Sequence, residues 1–167
     1  MTTVAAPTDP AALRTVFANI PQTVIALCGL GDDGRPRGLA ASSFTTVSLD
    51  PPIVSVAMAH TSTTWPALRE IARLGVSVLA EGQDLVCRAL SARGTDRFAD
   101  VQWRAGTDGA VLLDDAVATM ECTIIGDIPA GDHQIVLLRI ETLAADPTRN
   151  PLVFHGSTFR TLAPIGA

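Results

Sequence analysis

The chain has 167 residues, 47% of them hydrophobic and 17% charged, with a net charge of −5. That length and apolar content exclude a disordered chain and lead us to expect a single domain over 1–167, with its core at about 12–162. Every basic residue is an arginine, so there is no lysine for a Schiff base and no broad basic field to attract nucleic acid.

No apolar run approaches the roughly 20 residues that span a bilayer. Met1-Thr2-Thr3-Val4-Ala5-Ala6-Pro7 also lacks the basic and long apolar regions of a secretory signal. The expected setting is the cytoplasm, with no membrane or nucleic-acid partner. Cys28, Cys87 and Cys122 stand far apart with no Cys-x-x-Cys pair, which points to free, largely buried thiols and to neither a disulfide framework nor a metal site.

In chain order, Thr8 or Asp9 before Pro10 starts a helix, and Leu13, Val16, Phe17 and Ile20 recur at helical spacing until Pro21. A strand over Thr23–Leu30 turns at Gly31-Asp32-Asp33-Gly34-Arg35-Pro36 into a second one, which reads as a hairpin. Pro51-Pro52 punctuates the chain before a strand over Ile53–Met58. A helix is predicted from about Thr64, with Leu68, Ile71 and Ala72 on one face, ending at Gly75. Val76–Ala80 alternates like a strand, and Leu85, Val86, Ala89 and Leu90 mark a short helix before Gly94.

Residues 94–110 read as an irregular connection. Strands over Val117–Ile125 and His133–Leu143 are joined by Gly126–Asp132, and a last extended piece covers Pro151–Phe154. Strands outnumber helices and lie close enough in sequence to pair antiparallel, so a small Greek-key or closed barrel with peripheral helices is favoured over a doubly wound sheet.

The segment Gly38–Phe44, running through Thr45–Ser48 to Pro51-Pro52, is small, uncharged and rich in hydroxyls. Such residues let a planar heterocycle approach the backbone and meet its polar edge without burying a charge; they equally suit a tight turn beside an edge strand. Other chemistries find no support. Gly29–Gly34 matches dinucleotide-fingerprint spacing but leads into Arg35-Pro36 rather than a helix. Asp114-Asp115, read as adjacent strand residues, would point to opposite faces and form no acid–base pair. No Gly-x-Ser-x-Gly elbow occurs. His60 and His155 have no partners at ligand spacing, and Trp65 and Trp103 suit core or interface anchors.

Ordered motifs accumulate along the chain: Ala41-Ser42-Ser43-Phe44 with Ser48-Leu49 and Pro51-Pro52, Ser77-Val78-Leu79 with Gln83, Arg97-Phe98, Glu121-Cys122, Gly131-Asp132-His133, and Pro151-Leu152 with Gly156 and Phe159. Together they resemble the flavin reductase family with the FMN-binding split-barrel fold, the reductase components of two-component flavin-dependent monooxygenases. The resemblance implies a six-stranded antiparallel Greek-key split barrel and a homodimer with flavin near the subunit interface. It also implies hydride passage from NADH or NADPH to FMN or FAD, with reduced flavin supplied to a separate monooxygenase.

Carried onto this sequence, the resemblance puts Thr23, Ala41, Ser42, Ser43 and Ser48 around the flavin ring and ribityl chain. It puts Thr61, Ser62, Thr63 and Thr64 near the flavin phosphate, Gln83 against the flavin, and His133 at the nicotinamide. Unsatisfied amides at a helix start would help hold the phosphate; plain helix capping is the alternative. No acid–base catalyst is strictly required, because the cofactor carries the reaction. With no tyrosine in the chain, aromatic stacking near Gly156–Phe159 falls to Phe159 or Phe154. The competing reading is a flavin-binding split-barrel protein without nicotinamide turnover.

Overall fold

A computed structural model describes residues 8–166. Its elements are α1 (Pro10–Ala18), β1 (Gln22–Thr23), β2 (Ile25–Leu30), β3 (Pro36–Ala41), β4 (Thr45–Leu49), β5 (Pro52–Ala59), α2 (Trp65–Leu68), β6 (Leu74–Val78), α3 (Asp84–Ser91), β7 (Trp103–Ala105), β8 (Val111–Leu113), β9 (Ala118–Ala130), β10 (His133–Ala145), β11 (Val153–His155) and β12 (Thr158–Arg160). Part of the Thr8 or Asp9 helix signal is thus placed: Asp9 Oδ1 accepts from Ala11 N at 2.9 Å and Pro10 opens the first turn. The helix forms where the pattern places it, yet it buries no side chain, and Val16, Phe17 and Ile20 stay exposed.

Seven strands hydrogen-bond in the order β3-β2-β6-β9-β10-β5-β4, every neighbouring pair antiparallel. The two edge strands, β3 and β4, are consecutive in the chain and joined only by Ser42–Phe44. Four Cα–Cα steps of about 3.8 Å reach about 15 Å. A flat sheet would hold those edges about 29 Å apart, at about 4.8 Å per strand spacing. The sheet therefore curls until its edges face each other. Among the described residues the ladders do not pair β3 with β4, so the hydrogen bonding is that of an open, curled, seven-stranded antiparallel sheet with few helices.

β2 explains how the interior divides. Its residues alternate between two cores: Ile25 and Leu27 point inside the curled sheet with Val56, Trp65, Leu74, Val136 and Leu138, while Val24, Ala26 and Cys28 join Leu79, Leu90, Phe98, Val111 and Leu113 on the other face. A strand covered on both faces needs a continuous apolar run, which is what Val24–Cys28 supplies. Trp65 is buried in the first core and Trp103 packs against the second, as anchors.

Several expectations shift. The helix expected from Thr64 to Gly75 is a single turn, Trp65–Leu68, and Gly75 lies instead within β6, where an added Cβ would collide with the Val111 carbonyl oxygen. Gly75 is thus a close-approach position for β8, not a helix stop. Residues 94–110 are not wholly irregular: β7 and β8 form a hairpin around Thr107–Gly109, with Asp108 and Gly109 at positive φ. The Asp108-Gly109 pair was the turn signal for it.

Gly126–Ala130 continues β9 rather than forming a loop, leaving a turn at Gly131-Asp132 and a register shift near Ile125. Asp114 and Asp115 are turn residues, not strand neighbours, and each meets its own arginine, Asp114 with Arg104 at 3.1 Å and Asp115 with Arg149 at 2.6 Å. The extended piece at Pro151–Phe154 belongs to a β11–β12 hairpin whose turn residues Gly156 and Ser157 both have positive φ. That hairpin is held to α1 by Gly156 N donating to Ala18 O at 2.7 Å.

Candidate functional site

The Ser42–Phe44 bridge between the sheet edges is where small side chains converge. Ala40, Ala41 and Ser42 at the end of β3 are lined on one side by an apolar chamber of about 380 Å³ and on the other by a polar one of about 420 Å³. The apolar chamber is walled by Val24, Cys87, Phe154 and Phe159; the two rings meet edge to face at 5.4 Å, with the Arg88 guanidinium 5.1 Å from the Phe159 centroid. Both aromatic rings assigned to the closing segment by elimination of tyrosine therefore reach the groove. The polar chamber gathers Ser42, Ser43, Thr61, Ser62, Thr63, Thr64 and His133 with Met58, Ser91, Arg93 and Arg97.

The hydroxyls in this groove are not equivalent. Ser43 Oγ donates to the Ala57 carbonyl at 3.0 Å and accepts from the Ala57 amide at 3.1 Å. Because β4 pairs Thr45 with Ser55 and Thr46 with Val54, residue 43 falls opposite Ala57, and its side chain takes over the backbone ladder there. Ser62 Oγ accepts from Trp65 N at 3.2 Å and Thr64 Oγ1 accepts from Arg97 Nη1 at 2.9 Å. Ser62 thus satisfies the first amide of α2, while the N-cap residue Thr64 makes no side-chain capping bond, and the four-residue α2 contributes little dipole of its own. Ser42, Thr61 and Thr63 have no protein hydrogen-bond partner among the described residues, which leaves their hydroxyls open to a ligand.

His133 begins β10 and sits at the polar chamber beside Ala59, its partner on β5. Its Nδ1–H donates to the Asp132 carboxylate at 2.7 Å, which orients the ring and leaves Nε2 for a ligand. The same hydrogen bond, followed by the charge of His133, holds the Asp132 carboxyl below its usual range.

Three expected residues do not reach the groove. Thr23 is exposed in β1 opposite Val153, and Ser48 lies in β4 opposite Ile53. Gln83 is clamped at both ends of its amide, Oε1 accepting from Ala80 N and Nε2 donating to Asp114 O, both at 2.9 Å. What the residue pattern missed is Ser91, the last residue of α3, with Arg93 and Arg97 beyond it. Arg97-Phe98 was visible as a motif, but only the tertiary path of 92–97 carries its guanidinium across to Thr64.

Two chambers of 300–1,000 Å³ scale, one apolar and aromatic, the other lined by hydroxyls and cations, and joined over small residues, suit a flat ring with an anionic tail. The cysteines add no redox pair. Burial drives the Cys28 thiol far above its ordinary range, and the Cys122 thiol is pushed up to about 12, by burial first and then by Glu141 and Glu121. Among the described residues there is no group of three metal-ligating side chains and no helix long and apolar enough to cross a membrane.

Residues 17–163 match the family model described as the flavin reductase like domain. The chain belongs to this family. It is 35% identical to the NADH:FAD oxidoreductase SgcE6 of Streptomyces globisporus C-1027, solved in complex with NAD and FAD fragments, with a TM-score of 0.92 over 99% of this chain and 100% of that one. It is 35% identical to the NADH:riboflavin 5'-phosphate oxidoreductase of Streptomyces pristinaespiralis over 93% of this chain and 89% of the relative. A further relative is the reductase subunit HsaB of a flavin-dependent monooxygenase from Rhodococcus jostii strain RHA1, 31% identical over 93% of this chain and 80% of its own length. The groove where Ala41–Ser43, Thr61–Thr64 and His133 meet lies within the residues that match the family model.

Proposed function

We propose that this chain is an NAD(P)H:flavin oxidoreductase that takes hydride from NADH or NADPH, passes it to FMN or FAD, and supplies reduced flavin to a separate monooxygenase. One observation carries the reading: a groove in which a row of small residues, Ala40–Ser42, separates an aromatic chamber from a polar, cationic one, with His133 at its edge. Relatives named as NADH-dependent flavin oxidoreductases and as a monooxygenase reductase subunit support the same activity.

A bound flavin supplies the electron-accepting ring, so the chain needs no nucleophile of its own. Ala40 and Ala41 let the ring lie against the backbone, and the open Ser42 hydroxyl meets its polar edge. Val24, Phe154 and Phe159 exclude water from its apolar flank, while Thr61 and Thr63 offer hydroxyls toward the tail. His133, steadied by Asp132, orients the nicotinamide next to the ring. Thr23, Ser48 and Gln83 act in the framework rather than on the ligand.

We read residues 1–167 as one domain working in the cytoplasm. We also propose a split barrel closed by the curled edges, and a homodimer that covers the exposed apolar side chains Val16, Phe17, Ile20, Val47 and Leu49. Flavin would lie near that interface. The decisive experiment mixes purified protein with NADH or NADPH and FMN or FAD and follows nicotinamide absorbance. The expected result is flavin-dependent oxidation; none with any pair defeats the proposal. In His133→Ala, nicotinamide affinity or turnover should fall while flavin binding persists, which separates the reductase from a flavin carrier without turnover.

A further inference from the structure

Three walls of the apolar chamber come from distant parts of the chain: Val24, helix α3 with Cys87 and Arg88, and the β11–β12 hairpin with Phe154 and Phe159. All three hang from residues 79–83. Leu79 N donates to Val24 O at 3.0 Å, and Leu79 O accepts from Leu152 N at 2.8 Å. Glu81 N donates to Asn150 O at 2.8 Å, and Ala80 bridges to Pro151 between them. β11 begins at Val153, directly after Leu152. Val24 and the aromatic wall are thus fixed to one segment by main-chain hydrogen bonds.

Helix α3 is joined to that segment differently. Gly82, at φ +88° with open space where a Cβ would lie, leads into it, and such a joint sets no angle by itself. Gln83 stands at the N-cap without a side-chain capping bond. Its amide reaches back and across instead, Oε1 to the buried Ala80 amide and Nε2 to the Asp114 carbonyl. Asp114 N donates in turn to Gln102 O at 3.1 Å, at the base of the β7–β8 hairpin. One turn on, Cys87 N donates to Gln83 O at 3.1 Å, so the chamber-lining face of α3 follows wherever Gln83 is held. The far end of the helix is secured by Leu90, fully buried in the second core. Packing therefore anchors one end of this wall and the Gln83 amide the other.

We propose that Gln83 is a positioning residue that fixes the width of the apolar chamber. By holding Cys87 and Arg88 at a set distance from Phe154 and Phe159, it decides how large a substituent the benzenoid edge of a flavin ring can carry. This rests on the flavin-reductase reading. A slot of apolar and aromatic walls suits the methyl groups of that edge rather than the polar edge of the ring. A wall tied by hydrogen bonds at its base and buried at its tip does not give way to an added group, whereas one free at its base swings outward.

The test is isothermal titration calorimetry without nicotinamide, using FMN and the analogue in which a dimethylamino group replaces one benzenoid methyl. The wild type should prefer FMN by about 10- to 100-fold, the discrimination that one small misfitting group commands in an apolar pocket. Gln83→Met keeps the length of the side chain and removes both hydrogen bonds, so the preference should fall at least about fivefold. Gln83→Glu keeps the acceptor for Ala80 but sets an oxygen against the Asp114 carbonyl, and should lie between. Thr123→Val deletes an exposed hydrogen bond to Glu141 of 2.6 Å, outside the chamber lining, and should keep the preference. Partial unfolding scales both affinities by the same folded fraction, so their ratio does not respond to a general loss of stability.

A wild type that binds both ligands alike, a Gln83→Met that keeps the wild-type preference, or a Thr123→Val that loses it overturns the proposal. Should Gln83→Met not fold, Gln83→Glu decides, and a preference equal to that of the wild type overturns it. With FMN as acceptor, the KM for NADH should be the same in Gln83→Glu and the wild type, because His133 lines the other chamber. A rise there without a change in the FMN preference assigns this wall to the nicotinamide and also overturns the proposal. Absence of FMN binding to the wild type removes the reductase reading itself, whereas FMN binding with an unaltered preference in Gln83→Met removes only this inference.

Discussion

Replacing Ser43 by alanine separates a hydroxyl that holds the sheet edges from one that faces ligand. Ser43 Oγ pairs with both the amide and the carbonyl of Ala57, at 3.1 and 3.0 Å. Alanine strands both groups, and a stranded buried backbone group costs about 1–3 kcal/mol. Ala57 is only partly buried, so water recovers part of each loss and a total of about 2 kcal/mol is expected. In a domain of this size that lowers Tm by about 4–8 °C.

Ser42→Ala is the matched control. Its hydroxyl has no hydrogen-bond partner among the described residues, so stability should change by less than about 0.5 kcal/mol. Flavin affinity should fall about fivefold, the value of one hydrogen bond of about 1 kcal/mol. Thermal melts followed by circular dichroism, with FMN titration on the same samples, measure both quantities. If Ser43→Ala melts with the wild type while losing flavin as Ser42→Ala does, the assignment of Ser43 to edge closure is wrong.

Gly75→Ala places a Cβ against the Val111 carbonyl. Because backbone cannot swing aside as a side chain would, it should cost at least about 3 kcal/mol and appear as loss of soluble protein or an early urea midpoint; a wild-type midpoint would refute the packing of β8 on β6. Cys28 and Cys122 should resist a thiol reagent at mildly alkaline pH until the protein unfolds, leaving Cys87, also raised by burial but lining the apolar chamber, as the one that reacts slowly; peptide mapping that finds Cys28 modified in the native protein contradicts this. Asp132 should titrate below the ordinary carboxylate range, and in His133→Ala its midpoint should rise toward that range, as read by carbon NMR. A lowered carboxyl contributes stability above its unfolded pKa and loses it as pH falls through the folded one, so any contribution of this pair disappears only in acid.

Much of this protein was legible along the chain because the responsible physics is local. Pro10 with Asp9 starts α1, Gly31–Pro36 turns β2 into β3, and the apolar runs of 24–30 and 53–58 become strands at the positions their residues dictate. The expected groove residues Ala41, Ser42, Thr61, Thr63 and His133 came from the family resemblance, and the fold brings them to one chamber because each sits at or just beyond the end of an element whose boundary is written in its neighbours. Two features escaped because they depend on who lies across the gap. Gly75 reads as a helix stop until β8 is seen pressing on it. Gln83 reads as a ligand-facing amide until Ala80 and Asp114 claim both its ends.

Composition and periodicity by themselves determined that this is one mainly β chain with small, neutral residues at a single bend and no charged catalytic cluster, since those properties need no knowledge of distant contacts. Only the tertiary structure decided which hydroxyls are free. Curling the sheet brings β3 beside β4, spends Ser43 on Ala57, and carries Arg97 to Thr64 across a separation in sequence that no local pattern encodes, because hydrogen-bonding capacity is allotted among groups that meet only after folding.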